Sequence, residues 1–270
     1  MKTKSALSYF GSDSEVAERL AAKLGHCKHV TIPFVGGGSI IPHLKARAIV
    51  CNDLNESAIT FYRVVSGVFG ATERDALIKR CRRTLSHPHE LITAHRTLIG
   101  DDVFSPVDHA WAYWSLCWVA RKGQGGTKNH GGLPSVRRSA NGGTNASRIR
   151  AAADDLEAWA ETFNRCEWEQ VDFRVQLSKV RDEAQCGIYC DPPWVGAGNS
   201  YLHNFTETDH RELADHLHRF GETAVVIRYG DATLIRDLYP TDSWHWTEVE
   251  SRTQSGAKTG EVWITRRATL

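Results

Sequence analysis

Two short apolar runs, 29–35 and 48–52, lie on either side of three consecutive glycines, Gly36-Gly37-Gly38, and the second run ends on an acid, Asp53. Each run reads as a buried strand. A helical stripe of Ile59, Tyr62 and Val65 follows until Gly67, and another helix begins near Thr72. Strands alternating with helices in this way build a parallel sheet, so the fold class is α/β. Upstream, Ser12 and Glu15 form a capping box for a helix with Val16, Leu20 and Leu24 on one face, ended by Gly25. Further strands are expected at 170–175, 186–190, 223–229, 245–250 and 261–265, and a helix carrying Ile149, Ala153, Leu156, Trp159 and Phe163 precedes them. Composition shifts between about 85 and 150, where Trp111, Trp114 and Trp118 stand at near-helical spacing as core. The pattern is one sheet interrupted by an inserted subdomain, with 1–85 and 150–270 forming the main domain and 86–149 the insert.

At 270 residues, 24% charged, with a net charge of +1, the chain has the balance of an ordinary globular protein, so any basic surface must be local. Its seven cysteines are scattered singly, with no zinc-like pairing, which suits reduced thiols in a cytoplasm. Met1-Lys2-Thr3-Lys4 is not followed by an apolar stretch, and no run approaches ~18 apolar residues, so neither a signal peptide nor a membrane span is expected. The histidines show no ligand spacing, and no metal is expected.

Four constellations carry chemistry. Cys186-Gly187-Ile188-Tyr189 is an apolar approach that stops at Asp191-Pro192-Pro193-Trp194. Two prolines remove two backbone donors and end the strand rigidly, leaving carbonyls, a carboxylate and a flat ring at a sheet edge. Such a group suits a planar ring bearing an exocyclic amine, and a plain strand-to-loop turn is the competing reading. Phe34, Gly36, Gly37 and Gly38 let backbone approach a ligand, and Asp53 is placed to accept from ribose hydroxyls. The turn lacks Gly-x-Gly-x-x-Gly spacing, which favours S-adenosylmethionine over a nicotinamide cofactor. Asp172-Phe173, at the start of a later strand, offers a carboxylate and a ring for the same cofactor's adenine, or is an exposed acid beside a core ring. Residues 121–150 hold seven Lys/Arg, seven glycines and no acid. Arg121, Lys122, Lys128, Arg137 and Arg138 there are candidates for phosphate contact, against the alternative of a solvated loop.

The order Tyr9-Phe10-Gly11-Ser12, Phe34-x-Gly36-Gly37-Gly38, Asn52-Asp53, basic insert, Asp172-Phe173, Asp191-Pro192-Pro193-Trp194 resembles the Dam-like (D12-class) DNA N6-adenine methyltransferases. Tyr201, Phe205, His210 and Leu213, then Val225-Val226-Ile227, follow with similar spacing. The resemblance implies a Rossmann-like class I methyltransferase sheet with an inserted target-recognition subdomain, acting on double-stranded DNA in a bacterial or phage-infected cell. By the same resemblance Tyr9 and Gly11 border S-adenosylmethionine, Phe34 to Gly38 wrap its methionine end, Asp53 binds its ribose, and Asp172 and Phe173 contact its adenine. Asp191 and the Pro192 carbonyl would hold the target amine, and Trp194 would stack on a base flipped from the duplex. Restriction–modification, phage defence and regulation are all roles of such enzymes, and nothing in the chain sets an oligomeric state.

Two departures stand out. Asp13 occupies the position of the family's lysine in its aromatic-x-Gly-Gly-Lys motif, and Trp194 replaces the commoner tyrosine, keeping a stacking face but not a hydroxyl. N4-cytosine or RNA methylation, a nucleotide-dependent oxidoreductase and a catalytically inactive nucleic-acid-binding homologue are the alternatives. An oxidoreductase would leave Asp191-Pro-Pro-Trp without a purpose.

Overall fold

The computed structural model describes residues 5–9, 14–99, 104–120, 125–128, 131–134, 144–196, 202–252 and 258–266. They form two compact units. The first comprises 1–17, 36–42 and 55–168; the second comprises 18–35, 43–54 and 169–270.

The second unit is built on the sheet. The strands of this sheet are β1 (His29–Ile32), β2 (Ala48–Asn52), β3 (Cys166–Glu169, of which only Glu169 falls in the second unit), β4 (Cys186–Cys190), β5 (Ala224–Gly230), β6 (Trp244–Arg252) and β7 (Lys258–Arg266). They lie in the order β3-β2-β1-β4-β5-β7-β6. β1 pairs in parallel with β2 and β4, β4 pairs in parallel with β5, and β7 runs antiparallel between β5 and β6. From β1 the chain winds outward to β2 and β3 on one side and, later, to β4 and β5 on the other. The β1–β4 boundary is therefore the switch point, where doubly wound sheets bind ligands at the carboxyl ends of their strands. This is a Rossmann-like, doubly wound sheet, in agreement with the α/β fold read from the sequence.

Boundaries differ where local chemistry overrides the apolar pattern. β1 stops at Ile32, short of the expected 35, because Pro33 has no N–H to donate to a ladder. The strand expected at 170–175 is instead β3 at Cys166–Glu169 followed by helix α8 (Phe173–Lys179). Asp172 is its N-cap, and its side chain accepts from the Arg174 amide at 2.8 Å, the bond that makes aspartate a helix starter. The helix capped by Ser12 and Glu15 appears as α1 (Ser14–Ala22), while Ser12 itself lies outside the described residues.

The first unit is helical: α2 (Glu56–Val65), α3 (Ala71–Arg83), α4 (Pro88–Ile99), α5 (Pro106–Trp118), α6 (Asn145–Asp154) and α7 (Leu156–Phe163). α5 is its axis, buried continuously from Ala110 to Trp118 and packed on α2, α3, α4 and α6. Ser105 and Asp108 form a capping box at its start, with Pro106 at the first helical position. At its end the Arg148 guanidinium donates to the Trp118 carbonyl at 2.8 Å, and Asn145 donates to Val119 O at 3.0 Å. Arg148, one of the cations of the acid-free stretch, is thus committed to the fold, and burial lowers its pKa. The stripe expected over 149–163 is wholly buried, but the helix carrying it breaks at Asp155 into α6 and α7.

Candidate active site

β4 and β5 are in parallel register, with Tyr189 beside Val226 and Cys190 beside Ile227. Continuing that register by one residue sets Asp191 beside Arg228. Asp191 Oδ2 accepts from Arg228 Nη1 at 3.1 Å and from the Tyr189 hydroxyl at 3.4 Å. Arg228 sits in an apolar strand, and its guanidinium makes a two-pronged pair with buried Glu261 of β7: Nε to Oε1 and Nη2 to Oε2, both 2.9 Å. Such a fork is the geometry in which arginine meets a carboxylate best. Trp263 Nε1 donates to Glu261 Oε1 at 2.7 Å, which fixes the acid further. Burial pushes the Asp191 carboxyl above the usual carboxylate range; Arg228 opposes this and Glu261 adds to it.

Pro192 is buried, while Pro193 and Trp194 are half-buried at the rim. Side chains two apart on a strand share a face, so Gly230 lies on the Arg228 face of β5. The Trp194 ring occupies the room left there. A Cβ on Gly230 would come within 2.7 Å of Trp194 Cε3, and the Arg228 guanidinium carbon stands 5.7 Å from the ring centroid. The missing side chain at 230 and the cation at 228 together set where the tryptophan lies.

At the other side of the switch point, buried Asn52 ties three chain segments. Its side-chain amide donates to Pro33 O at 3.1 Å and Val171 O at 2.9 Å, and its Oδ1 accepts from the Val171 amide at 2.8 Å. The Asn52 carbonyl accepts from the Val35 amide at 2.8 Å. Asn52 precedes Asp53 and Val171 precedes Asp172, so both candidate carboxylates emerge at one edge of this unit. Asp53 is half-buried. Asp172 is held by one nitrogen of Arg174, Nη1, which donates to Oδ2 at 2.9 Å and to Oδ1 at 3.1 Å, and the same guanidinium binds Asp209 and Glu212 and lies 4.4 Å from the Phe173 centroid. Phe34, Phe173 and Phe205 form an aromatic triangle with centroids 5.5 to 5.7 Å apart.

Within the helical unit, Gly36 (φ 48°) and Gly38 (φ 67°) adopt left-handed backbone that disfavours any side chain, and buried Gly37 lies between them. The Tyr62 hydroxyl donates to the Gly36 carbonyl at 2.6 Å. Tyr9 pairs with Gly125 in a parallel bridge, and the Gly125 amide donates to Ser8 O at 2.9 Å. The Tyr113 hydroxyl accepts from the Gly126 amide at 3.0 Å and from Asn55 Nδ2 at 2.8 Å. Any Cβ at Gly126, itself at φ 77°, would overlap the Tyr9 ring, so Gly125-Gly126 is shaped to this tyrosine. Exposed Lys128 follows two residues on. Gly11, Arg121, Lys122, Arg137 and Arg138 lie outside the described residues.

The residues that sequence reasoning missed are Arg228, Glu261, Gly230 and Arg174. A signal existed for two of them: Arg228 directly follows Val225-Val226-Ile227 and Glu261 heads Val262-Trp263-Ile264, and a charge in an apolar strand requires a partner. Among the described residues no group of His, Cys, Asp and Glu is arranged to hold a metal ion, and no helix is long and apolar enough to cross a membrane.

Comparison with curated proteins found no match. A family model, that of the D12 class N6 adenine-specific DNA methyltransferases, matches residues 9–254, nearly the full chain and every motif on which the resemblance rests. The chain belongs to this family and is a DNA adenine N6-methyltransferase, an enzyme of the S-adenosylmethionine-dependent transferase class.

Proposed function

We propose that this enzyme methylates an adenine flipped out of double-stranded DNA, with Asp191 and the Pro192 carbonyl accepting the N–H groups of its amine and Trp194 stacking on its face. The observation that carries this reading is the Asp191 carboxylate, anchored at the end of β4 by Arg228 and next in sequence to a rigid Pro-Pro and a ring. An exocyclic adenine amine is a weak nucleophile because its lone pair is delocalised into the ring. Acceptors for both N–H groups favour a pyramidal nitrogen and direct the lone pair outward, and the gain comes from positioning and electrostatics. The cost of unstacking the base, a few kcal/mol, is offset by pocket stacking and hydrogen bonds.

The residues present fit S-adenosylmethionine. Asp53 is a half-buried carboxylate at a strand end next to the switch point, suited to a ribose diol, and the Phe34–Phe173–Phe205 triangle offers apolar surface for a purine. Asp172, fixed by Arg174, would meet the adenine together with Phe173. Tyr9 and Gly11 would border the cofactor, and the left-handed backbone at Gly36 and Gly38, with Gly37, would let the main chain approach its methionine end. When bound, the cofactor supplies an electrophilic methyl on a sulfonium. Asp53→Ala is expected to weaken S-adenosylmethionine binding by roughly 1–3 kcal/mol while the fold survives. Calorimetry reads this, and equal affinity in variant and parent would remove Asp53 from the site. Mass spectrometry of nucleosides from treated DNA should find N6-methyladenine; N4-methylcytosine, or label in RNA alone, would contradict the target assigned to Asp191.

Residues 86–149 are proposed as the target-recognition subdomain, with 1–85 and 150–270 carrying cofactor binding and catalysis. The acid-free composition of 121–150 supports this, as does the exposure of Lys128. Arg121, Lys122, Lys128, Arg137 and Arg138 are the proposed DNA contacts. Replacing an arginine that meets phosphate, as Arg137→Ala or Arg138→Ala, should weaken binding on every sequence and reduce the salt slope by about one. Replacing one that reads a base should relax preference at one base pair. Binding measured at several salt concentrations separates the two, and unchanged affinity, slope and site choice in both variants and the double would leave this stretch a solvated loop.

A further inference from the structure

We infer that Glu261, acting through Arg228, positions the Asp191 carboxylate and preserves its strength as a proton acceptor for the target amine. The inference rests on the reading of Asp191 as the group that meets that amine. Among the described residues, Asp191 is faced by the Tyr189 hydroxyl from β4, Arg228 from β5, Glu261 behind Arg228 from β7 and, from the loop that follows, Trp194, whose side chain hydrogen-bonds the carboxylate. Glu261, 1% exposed, already pairs with two nitrogens of Arg228, so the buried cation needs no further partner to be tolerated. Its remaining Nη1 is nevertheless turned to Asp191 at 3.1 Å, while Asp191 keeps part of its side chain open. Asp191, Arg228 and Glu261 then hold two carboxylates against one guanidinium, leaving one negative charge in excess.

That excess matters for the chemistry. As the amine nitrogen gives its lone pair to the new N–C bond it becomes positive, the electrons of the bond that breaks stay with the methyl donor, and the nitrogen then sheds one proton, for which Asp191 is the acceptor. A guanidinium bonded to Asp191 with no counter-charge would lower the basicity of the carboxylate and repel the developing cation. Glu261 cancels that charge and leaves the hydrogen bond, so Asp191 is held in place without being weakened as a base. Glu261 is accordingly a positioning residue rather than a catalytic one.

The test uses the full chain. The ionisation of Asp191 is followed by 13C-carboxyl NMR, assigned with Asp191→Asn, beside the pH profile of kcat. In Glu261→Gln, Arg228 acts on Asp191 uncompensated: the Asp191 midpoint and the acid limb of kcat should both move down by about one pH unit. The plateau of kcat should fall about tenfold, with KM for DNA little changed. In Arg228→Met/Glu261→Gln the cation and its counter-charge leave together, so the midpoint should return to the parental value or rise above it as the hydrogen bond from Arg228 is lost. Parental midpoint and kcat in Glu261→Gln would overturn the inference; if that variant does not fold, a midpoint below the parental one in the double variant would do so. Parental activity in Asp191→Asn would instead overturn the underlying reading of Asp191, whatever Glu261 does.

Discussion

Asp191→Ala is expected to lower kcat by at least about 10³-fold while DNA binding and the fold persist. The proposed work of Asp191 is done on the amine as it reacts, so the loss should fall on the chemical step rather than on ground-state affinity. The fold should survive because Arg228 retains its fork to Glu261 when Asp191 is removed, so no buried cation is stranded. In the parent enzyme the acid limb of kcat should lie above the ordinary carboxylate range, since burial raises the Asp191 pKa over the opposing pull of Arg228. The sign is fixed by the role: the acceptor must be ionised, so activity is lost as pH falls through that value. Single-turnover methylation and DNA binding measured on the same variant decide the matter. A parallel loss of both would make Asp191 a structural residue, and retained turnover would remove it from the reaction.

Asp191 was legible because its signal is local. A buried run stopping at an acid and two prolines marks a strand end in any context, and β4 occupies 186–190 as expected. β2 with Asp53 after it was legible for the same reason. Arg228 and Glu261 were not paired in advance because their meeting depends on β7 entering the sheet antiparallel between β5 and β6, a topology that no short window encodes. Asp172 shows a different failure. The strand-like run around it suggested a strand, yet Val171 gives its N–H to the Asn52 side chain and Asp172 caps a helix, so side-chain hydrogen bonding overrode β propensity. The stripe over 149–163 identified the buried residues correctly and the helix wrongly, because burial periodicity carries across a break such as that at Asp155. In each case the pattern of apolar residues fixed what is buried, while individual polar side chains decided where an element starts or stops.

Trp194→Ala should reduce kcat/KM by roughly 1–3 kcal/mol, about five- to 150-fold, the worth of one base stacked on an aromatic ring. Trp194→Tyr should recover most of this, because a flat face survives and the family more commonly carries tyrosine there. Gly230 supplies an independent check on the same ring. Ala at 230 leaves Trp194 in the sequence but places a methyl 2.7 Å from its Cε3, closer than carbon atoms approach, so the indole must turn away from the position it shares with Arg228. Gly230→Ala alone should therefore lose activity on the scale of Trp194→Ala, whereas adding it to Trp194→Ala should cost little more, since there is no longer a ring to displace. kcat/KM across the four proteins of this cycle gives the coupling. Strict additivity would mean that the placement of Trp194 by Gly230 has no part in the reaction, and a tyrosine variant as inactive as the alanine one would show that the ring acts otherwise than by stacking.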